Sequence, residues 1–472
     1  MGCQMNRLDS ELVSGALRAA GHEVIKDRRS ADVVLYNTCS VRQHAEEKVV
    51  SRLGADGQRK AAGRKLIVGV LGCMAQREGG QLRLRFPQLD LLCAPGQLAR
   101  LTELIDEAAA GRPAVALDPA RGEPSPAAGP PAGAPCRTEV AAGDVAPAAG
   151  TDELELARDP TEAPSPGQAF VRAMRGCDRF CGYCIVPFVR GPQRSRDPRH
   201  IHEEVRGLVD AGRTQITLLG QTVNSYRWTY GETTVWFSDL LAGLSGISGL
   251  RRLRFVTSHP MDFGDDILEA MRDLPNVCEY MHCPAQSGSD AVLKRMNRGY
   301  RRAQYDELVD RARGLIPGVV LAGDFIVGFP GETEQDHQAS AELIRRSGYK
   351  NSFVFKYSPR PGTSAARRWA DDVPTEVKKR RNNELLAVQD EVGLAHHRPY
   401  VGAAMEVLVE GPSPRAGKQA RHSGSEVMQL VGRTRGDHIV VFDGPADLAG
   451  RYVDVSVTGA TPLTLFGEIR PG

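Results

Sequence analysis

Six short strand-like runs, at 168–174, 215–219, 252–257, 279–283, 320–328 and 353–357, recur through the middle of the chain with helix-like stretches such as RHIHEEVRGLVDAG between them. Six β/α units in succession constrain this region to a parallel barrel, open or closed. Its chemistry then lies at the carboxyl ends of the strands. The region expected to fold this way spans 167–396.

The flanks read differently. DVVLYNTC (32–39) and LIVGVLGC (66–73) are apolar on both faces, are separated by helix-like sequence and end in Cys39 and Cys73. That pattern predicts an open parallel α/β sheet over 1–112, with each cysteine just past the carboxyl end of a strand, the edge where ligands bind. Cys3, in GCQMN ahead of the helix-like DSELVSGALRAAG, fits a third such turn, with Asp9 or Ser10 as a helix-cap candidate. A strand should precede Cys3, yet only Met1 and Gly2 do, so the expected start lies upstream of Met1. Within 119–150, seven Pro, ten Ala and five Gly fill 22 of 32 positions. Such a stretch buries too little apolar surface to offset its ordering entropy, and 113–166 is expected to be a disordered linker. A helix-favouring stretch follows near 375–395. The closing VLVEG, IVVFDG and YVDVSV predict a small all-β barrel over 397–472.

Composition excludes several classes. At 472 residues, 41% hydrophobic and net charge +2, the chain suits two to four globular domains and gives no global argument for nucleic-acid or membrane binding. The N-terminus lacks an apolar core of signal-peptide length. Asn6 stands where a myristoylation motif wants Ser or Thr. The apolar stretch 316–330 is interrupted by Asp324 and is too short to span a bilayer. A reducing cytoplasm is the expected compartment. Ten cysteines are too few for a disulfide scaffold of this length.

Three of them, Cys177, Cys181 and Cys184, sit in one loop after the first barrel strand. Thiolates at this spacing select zinc or an iron–sulfur cluster. No fourth Cys or His follows at zinc-finger or ribbon spacing. Three ligands on a four-iron cubane leave one iron open for substrate. The competing reading is incidental surface thiols.

CxxxCxxC with an aromatic residue before the last Cys, at the top of a β/α barrel, resembles the radical SAM superfamily. RGCDRFCGYCIVPFVRGPQRSR is similar to its methylthiotransferase branch. GCQMN, NTCSVR and GVLGCMAQ resemble that branch's N-terminal cluster domain. LGQTVNSY, FVTSHP, AQSGSD, GDFIVGFPGETE and FKYSPRPGTSAA follow in family order, and the last domain resembles the TRAM module. The resemblance covers the chain apart from the linker. It implies an α/β architecture: an open parallel sheet domain, a radical SAM partial (β/α)6 barrel and a TRAM barrel. It further implies two [4Fe-4S] clusters, one on Cys177, Cys181 and Cys184 that binds S-adenosylmethionine, and one on Cys3, Cys39 and Cys73 that supplies sulfur. No catalytic side chain is expected beyond these ligands. The implied activity is methylthiolation at C2 of an N6-isopentenylated adenosine beside the anticodon of tRNA. The alternatives are a sibling acting on threonylcarbamoyl-adenosine or on a ribosomal-protein aspartate, and a non-catalytic iron–sulfur electron carrier. Implied partners are tRNA, an electron donor protein and a sulfur or iron–sulfur supply protein, with the chain a monomer.

Each remaining candidate has a bland counterpart. Tyr183 packs on the cofactor or fills a gap. Gln221, Asn224, Ser258, His259, Gln286 and Ser287 lie at expected strand ends, where they line a site or satisfy backbone groups. Asp324, Val327 and Gly328 belong to an adenosine-pocket strand in the family, and otherwise to core and turn. Arg190, Arg194 and Arg196 follow the cysteine loop, where they hold RNA phosphates or form a solvated face. Cys93, Cys136, Cys278 and Cys283 share no ligand spacing with the triads and are expected to be ordinary thiols.

Overall fold

A computed structural model describes residues 3–40, 43–119, 151–162, 165–414 and 427–470. Four strands, β1 (Val33–Thr38), β2 (Ile67–Gly72), β3 (Leu91–Cys93) and β4 (Ala114–Ala116), form a parallel sheet in that order. Both faces are covered, which is why the strands are largely apolar up to the Asn37 and Thr38 that end β1. Val49 and Leu53 of helix Gln43–Ala61 pack with Val34, Tyr36, Val68 and Val70 on one side. Val13 of helix Gln4–Ala19 and Leu104 and Ile105 of helix Leu101–Ala109 pack with Leu71 and Leu91 on the other.

Three elements fall inside the span expected to be linker, and they correct its limits. Strand β4 adds a fourth strand to the first sheet, a helix forms at Thr151–Leu156, and a 3-10 turn follows at Pro160–Glu162. Glu155 of that helix is buried against Arg172, Arg175 and Arg196. Tertiary partners, absent from a composition count, order both margins of the segment. Residues 120–150, including Cys136, lie outside the described residues.

The six expected barrel strands are present: β5 (Gln168–Arg172), β6 (Gln215–Leu219), β7 (Arg252–Val256), β8 (Tyr280–His282), β9 (Val320–Val327) and β10 (Asn351–Lys356). β5, β6 and β7 pair in parallel, as do β8, β9 and β10, and a parallel bridge from Leu253 to Val277 joins the two sets. Among the described residues nothing pairs β10 with β5, so the barrel is open. Its hollow is filled from the first unit. Met5, Leu8 and Leu12 of helix Gln4–Ala19 pack against Leu219, Val256, Tyr280, Val320 and Ala322. Each such aliphatic side chain contributes about 1.5–3 kcal/mol when buried, so this helix joins the two units as a shared core.

Helix Thr375–His397 leads to a closed five-stranded barrel of β11 (Ala404–Pro412), β12 (Val427–Arg433), β13 (Ile439–Pro445), β14 (Tyr452–Ala460) and β15 (Thr464–Ile469), in the order β11-β12-β13-β15-β14. Val407, Val409, Leu430, Val440, Phe442, Val455, Val457 and Leu465 fill its interior. It docks through charge: Arg254 reaches Asp437 at 2.6 Å, Lys350 reaches the same carboxylate at 2.9 Å, and Arg252 reaches Glu406 at 2.9 Å. Among the described residues no helix is long and apolar enough to cross a membrane.

Candidate metal centre

Three turns converge in the first unit. Cys3 precedes helix Gln4–Ala19, Cys39 follows β1, and Cys73 opens the short helix after β2. Gly72 lets them meet: its φ is 87°, and a Cβ there would lie 2.5 Å from Asn37 Oδ1 and 3.0 Å from the Thr38 carbonyl. Two asparagines lock the turns together. Asn6 Nδ2 donates to Asn37 Oδ1 at 2.8 Å, and Asn37 Nδ2 donates back to the Asn6 carbonyl at 2.9 Å. Cys3 Sγ donates to Asn6 Oδ1 at 3.1 Å. Sequence reasoning passed over both asparagines, although each stands inside a cysteine motif, GCQMN and NTCSVR. Their signal was an amide beside each cysteine, whose partner was not visible. A hydrogen bond with Cys39 brings the Cys3 thiol down to about 6, against burial and with help from Arg190. Burial pushes the Cys73 thiol up, and the Arg190 guanidinium opposes it.

The second triad occupies the loop after β5. Gly176 makes the entry possible: its φ is 64°, and a Cβ there would lie 2.0 Å from the Pro192 carbonyl oxygen. Gly182 N–H donates to the Met296 carbonyl at 2.8 Å, and Asn297 Nδ2 donates to the Phe180 carbonyl at 2.9 Å, which fixes the middle of the loop. Cys177 and Cys181 are buried and Cys184 is half-buried. Burial and then the neighbouring Cys181 sulfur push Cys177 up to about 12, and the same causes raise Cys184 further. Clustered thiols, two of them raised by burial and by a neighbouring sulfur, suit a cationic centre, which would supply the missing positive charge. A buried cation, Arg298, reaches the loop: Nη1 donates to Cys181 Sγ and to Tyr183 Oη, both at 3.4 Å, and Nη2 donates to the Pro284 carbonyl at 2.9 Å. In the sequence Arg298 is one of a basic run, Lys294, Arg295, Arg298, Arg301 and Arg302, that reads as a solvated face.

The triads meet. Cys73 packs against Ile185 and Val189, the residues that follow Cys184, and Arg190 Nε donates to Cys73 Sγ at 3.3 Å. Glu46, held by Arg77 at 2.7 Å and by Arg360 at 3.5 Å, adds a second tie between the first unit and the central one.

At the strand ends the remaining candidates separate. Ser258 Oγ, His259 Nε2 and Gln286 Oε1 are buried and have no hydrogen-bond partner among the described residues. Burial, Arg298 and Arg179 hold the His259 imidazole well below its usual range, so it stays neutral. Gln286 has φ 71°, and its N–H donates to the Asp324 carbonyl at 2.8 Å. Asn224 is spent on backbone: its side chain exchanges two 2.9 Å hydrogen bonds with His259 N–H and carbonyl. Gln221 is half-buried in the turn after β6. Ser287 Oγ is within 3.5 Å of Ser340 Oγ and accepts from Ser289 N–H at 3.2 Å, a turn role. Asp324 faces His282 Nε2 at 3.5 Å. Val327 is buried in the outer core, and Gly328 N–H donates to Glu332 at 3.0 Å.

The arginine run is a correction. Arg190 and Arg196 do not face outward to phosphates. Arg190 binds Asp9 at 2.8 Å, and Arg196 binds Glu204 at 2.7 Å and Glu155 at 3.3 Å, with both side chains at most 4% exposed. Arg194 is half-buried on the short strand before Arg196. Buried charges require buried partners: Glu204 comes from the following helix, whereas Asp9 and Glu155 come from elements farther away in the chain. Cys93, Cys278 and Cys283 are buried thiols, Cys93 and Cys283 within apolar clusters, away from both triads.

Comparison with known proteins agrees with this architecture. Residues 1–94 match the model described as "Uncharacterized protein family UPF0004", residues 171–344 the radical SAM superfamily and residues 398–469 the TRAM domain. The tRNA-2-methylthio-N(6)-dimethylallyladenosine synthase of Rhodopirellula baltica is 44% identical, covering 100% of this chain and 94% of that protein. The chain belongs to the tRNA-2-methylthio-N(6)-dimethylallyladenosine synthase family. The family protein of Moorella thermoacetica is 39% identical, over 100% of this chain and 97% of that one. Among solved structures, the radical S-adenosylmethionine methyltransferase TsrM from Kitasatospora setae shares the fold, with a TM-score of 0.50 at 16% identity over 76% of this chain and 74% of that one.

Proposed function

We propose that this chain is a radical S-adenosylmethionine enzyme that methylthiolates C2 of N6-isopentenyladenosine next to the anticodon of tRNA. The observation that carries the reading is full-length identity to synthases named for that product, up to 44%. In this reading Cys177, Cys181 and Cys184 hold one [4Fe-4S] cluster, and Cys3, Cys39 and Cys73 hold a second. The donor sets suit such groups: each brings three thiols together, with one buried arginine donating to a sulfur. When bound, the core cluster and S-adenosylmethionine supply one-electron chemistry able to activate a C–H bond that acid–base catalysis cannot easily reach.

The protein's own residues then have defined tasks. Arg298 fixes Cys181 and Tyr183 together through one guanidinium. Ser258, His259 and Gln286 would bind the polar groups of S-adenosylmethionine, because Ser258 Oγ, His259 Nε2 and Gln286 Oε1 are buried without a hydrogen-bond partner among the described residues. Asn224 holds the His259 backbone, and Asp324 holds Gln286 through its carbonyl. Helix Gln4–Ala19 plugs the barrel and excludes water from behind the site. Gln221, Asp324, Val327 and Gly328 would line or support the cofactor pocket, and Arg194 remains a candidate for tRNA contact. The TRAM barrel would bind tRNA. An electron donor, a sulfur or iron–sulfur supplier, a monomeric state and cytoplasmic residence complete the proposal.

The test compares modified nucleosides in tRNA from cells with and without the gene. Loss of 2-methylthio-N6-isopentenyladenosine, with its unmethylthiolated precursor accumulating, is expected. An unchanged level overturns the assignment. A change confined to threonylcarbamoyl-adenosine derivatives moves the enzyme to a sibling substrate.

A further inference from the structure

The first triad borrows a residue from the central unit. Arg190 follows Cys184 by six positions, yet its Nε donates to Cys73 Sγ at 3.3 Å. Its Nη2 donates to Asp9 Oδ2 at 2.8 Å, and the other oxygen of Asp9 accepts from Arg172 of β5 at 2.7 Å. Asp9 is fully buried and the Arg190 side chain is 4% exposed, so this is a desolvated charge chain. It runs from a sulfur of the first unit to the strand that leads into the second triad.

We infer that Arg190 is a positioning residue that orients Cys73 and tunes the cluster held by Cys3, Cys39 and Cys73. The inference rests on the proposed assignment of that triad to a [4Fe-4S] cluster. Hydrogen bonds to ligand sulfurs and local net charge are levers on a cluster's reduction potential. A cation against a ligand sulfur, away from water, stabilises the reduced and more negative form. Asp9, on the far side of the guanidinium, cancels part of that effect. Arg190 therefore raises the potential, and Asp9 holds it down. A clamp that merely joined two units would give no dependence on the sign of charge.

The test is a potentiometric titration of the full chain, reconstituted anaerobically with iron and sulfide and followed by electron paramagnetic resonance. Each cluster takes one electron from the poised mediators. Substituting Cys177, Cys181 and Cys184 by Ala together identifies which wave belongs to the first triad. Arg190→Gln is expected to shift that wave negative by about tenfold in its equilibrium constant, about 59 mV for one electron. Asp9→Asn is expected to shift it positive, Arg190→Lys to recover most of the loss, and the other wave to stay in place throughout. An unmoved wave at full iron content, shifts of the same sign in both variants, or equal displacement of both waves overturns the inference. If Arg190→Gln loses the first triad's iron, recovery of that iron by Arg190→Lys supports the positioning role, and no recovery overturns it. If the unsubstituted chain itself takes up about four irons in place of about eight, the two-cluster reading beneath the inference fails, which is a distinct result.

Discussion

The six triad cysteines are one residue type, and the proposed function gives the two triads different tasks. Cys184→Ala is expected to abolish 5′-deoxyadenosine formation from S-adenosylmethionine, whereas Cys39→Ala retains that cleavage and loses sulfur insertion. Chromatography of deoxyadenosine and modified nucleoside from the same reactions checks both, and equal loss of cleavage contradicts the division of labour. Gly176 yields a second prediction at this scale, because a Cβ would meet the Pro192 carbonyl at 2.0 Å. Gly176→Ala should displace the loop of Cys177 and roughly halve the bound iron, with the first triad still loaded. Iron analysis measures this, and full loading refutes it. The triad cysteines were legible in the sequence because tight spacing and strand ends are local properties. Asn6, Asn37 and Arg298 were not, since their partners lie 31 and 117 residues away.

At the scale of elements, the helix Thr151–Leu156 shows what local pattern misses. Six residues are too few to be helical alone, and tertiary contacts must hold them. Glu155 does so: its carboxylate lies 2.8 Å from Arg172, 3.3 Å from Arg196 and 3.4 Å from Arg175. Burial pushes this carboxyl up, and the three arginines outweigh burial and hold it below its usual range. Glu155→Ala would leave Arg172 and Arg196 with one buried carboxylate each, Asp9 and Glu204, and is expected to cost about 3–5 kcal/mol. Denaturant unfolding of the loaded chain measures that cost, and a change below about 1 kcal/mol would show that the network is dispensable. The strands, by contrast, were legible. Each of the six barrel runs is found within three residues of its expected limits, because apolar, strand-like runs bounded by helix-like stretches mark buried parallel strands wherever they occur.

The whole molecule adds a sensitivity to acid at the joint between the central unit and the last barrel. His396 Nε2 and His438 Nε2 lie 3.0 Å apart, with His397 and Tyr400 rings beside them. Burial, His397 and Lys350 bring His396 down to about 4, and burial and Lys350 bring His438 down to about 2. An unfolded chain takes up protons on these rings below about 6.5, and the folded one refuses them. Stability that is complete at neutral pH is therefore lost as pH falls from about 6.5 towards about 4, on the order of 1 kcal/mol per pH unit for each histidine. Melting temperatures across that range should fall more steeply in the native chain than in a His396→Gln, His438→Gln variant. Parallel curves would remove these rings from the account. The sequence by itself determined the local chemistry: which residues are strands, where the thiols cluster and which segment is poor in apolar side chains, all set by neighbours within a few positions. Only the tertiary structure decided what those pieces do to one another. It turned an apparently solvated arginine run into buried ion pairs, filled the barrel with a helix from another unit and seated Cys73 beside Ile185 and Arg190. The physical reason is that a buried charge or an open barrel is satisfied by whatever partner the fold delivers, however far away in the chain that partner lies.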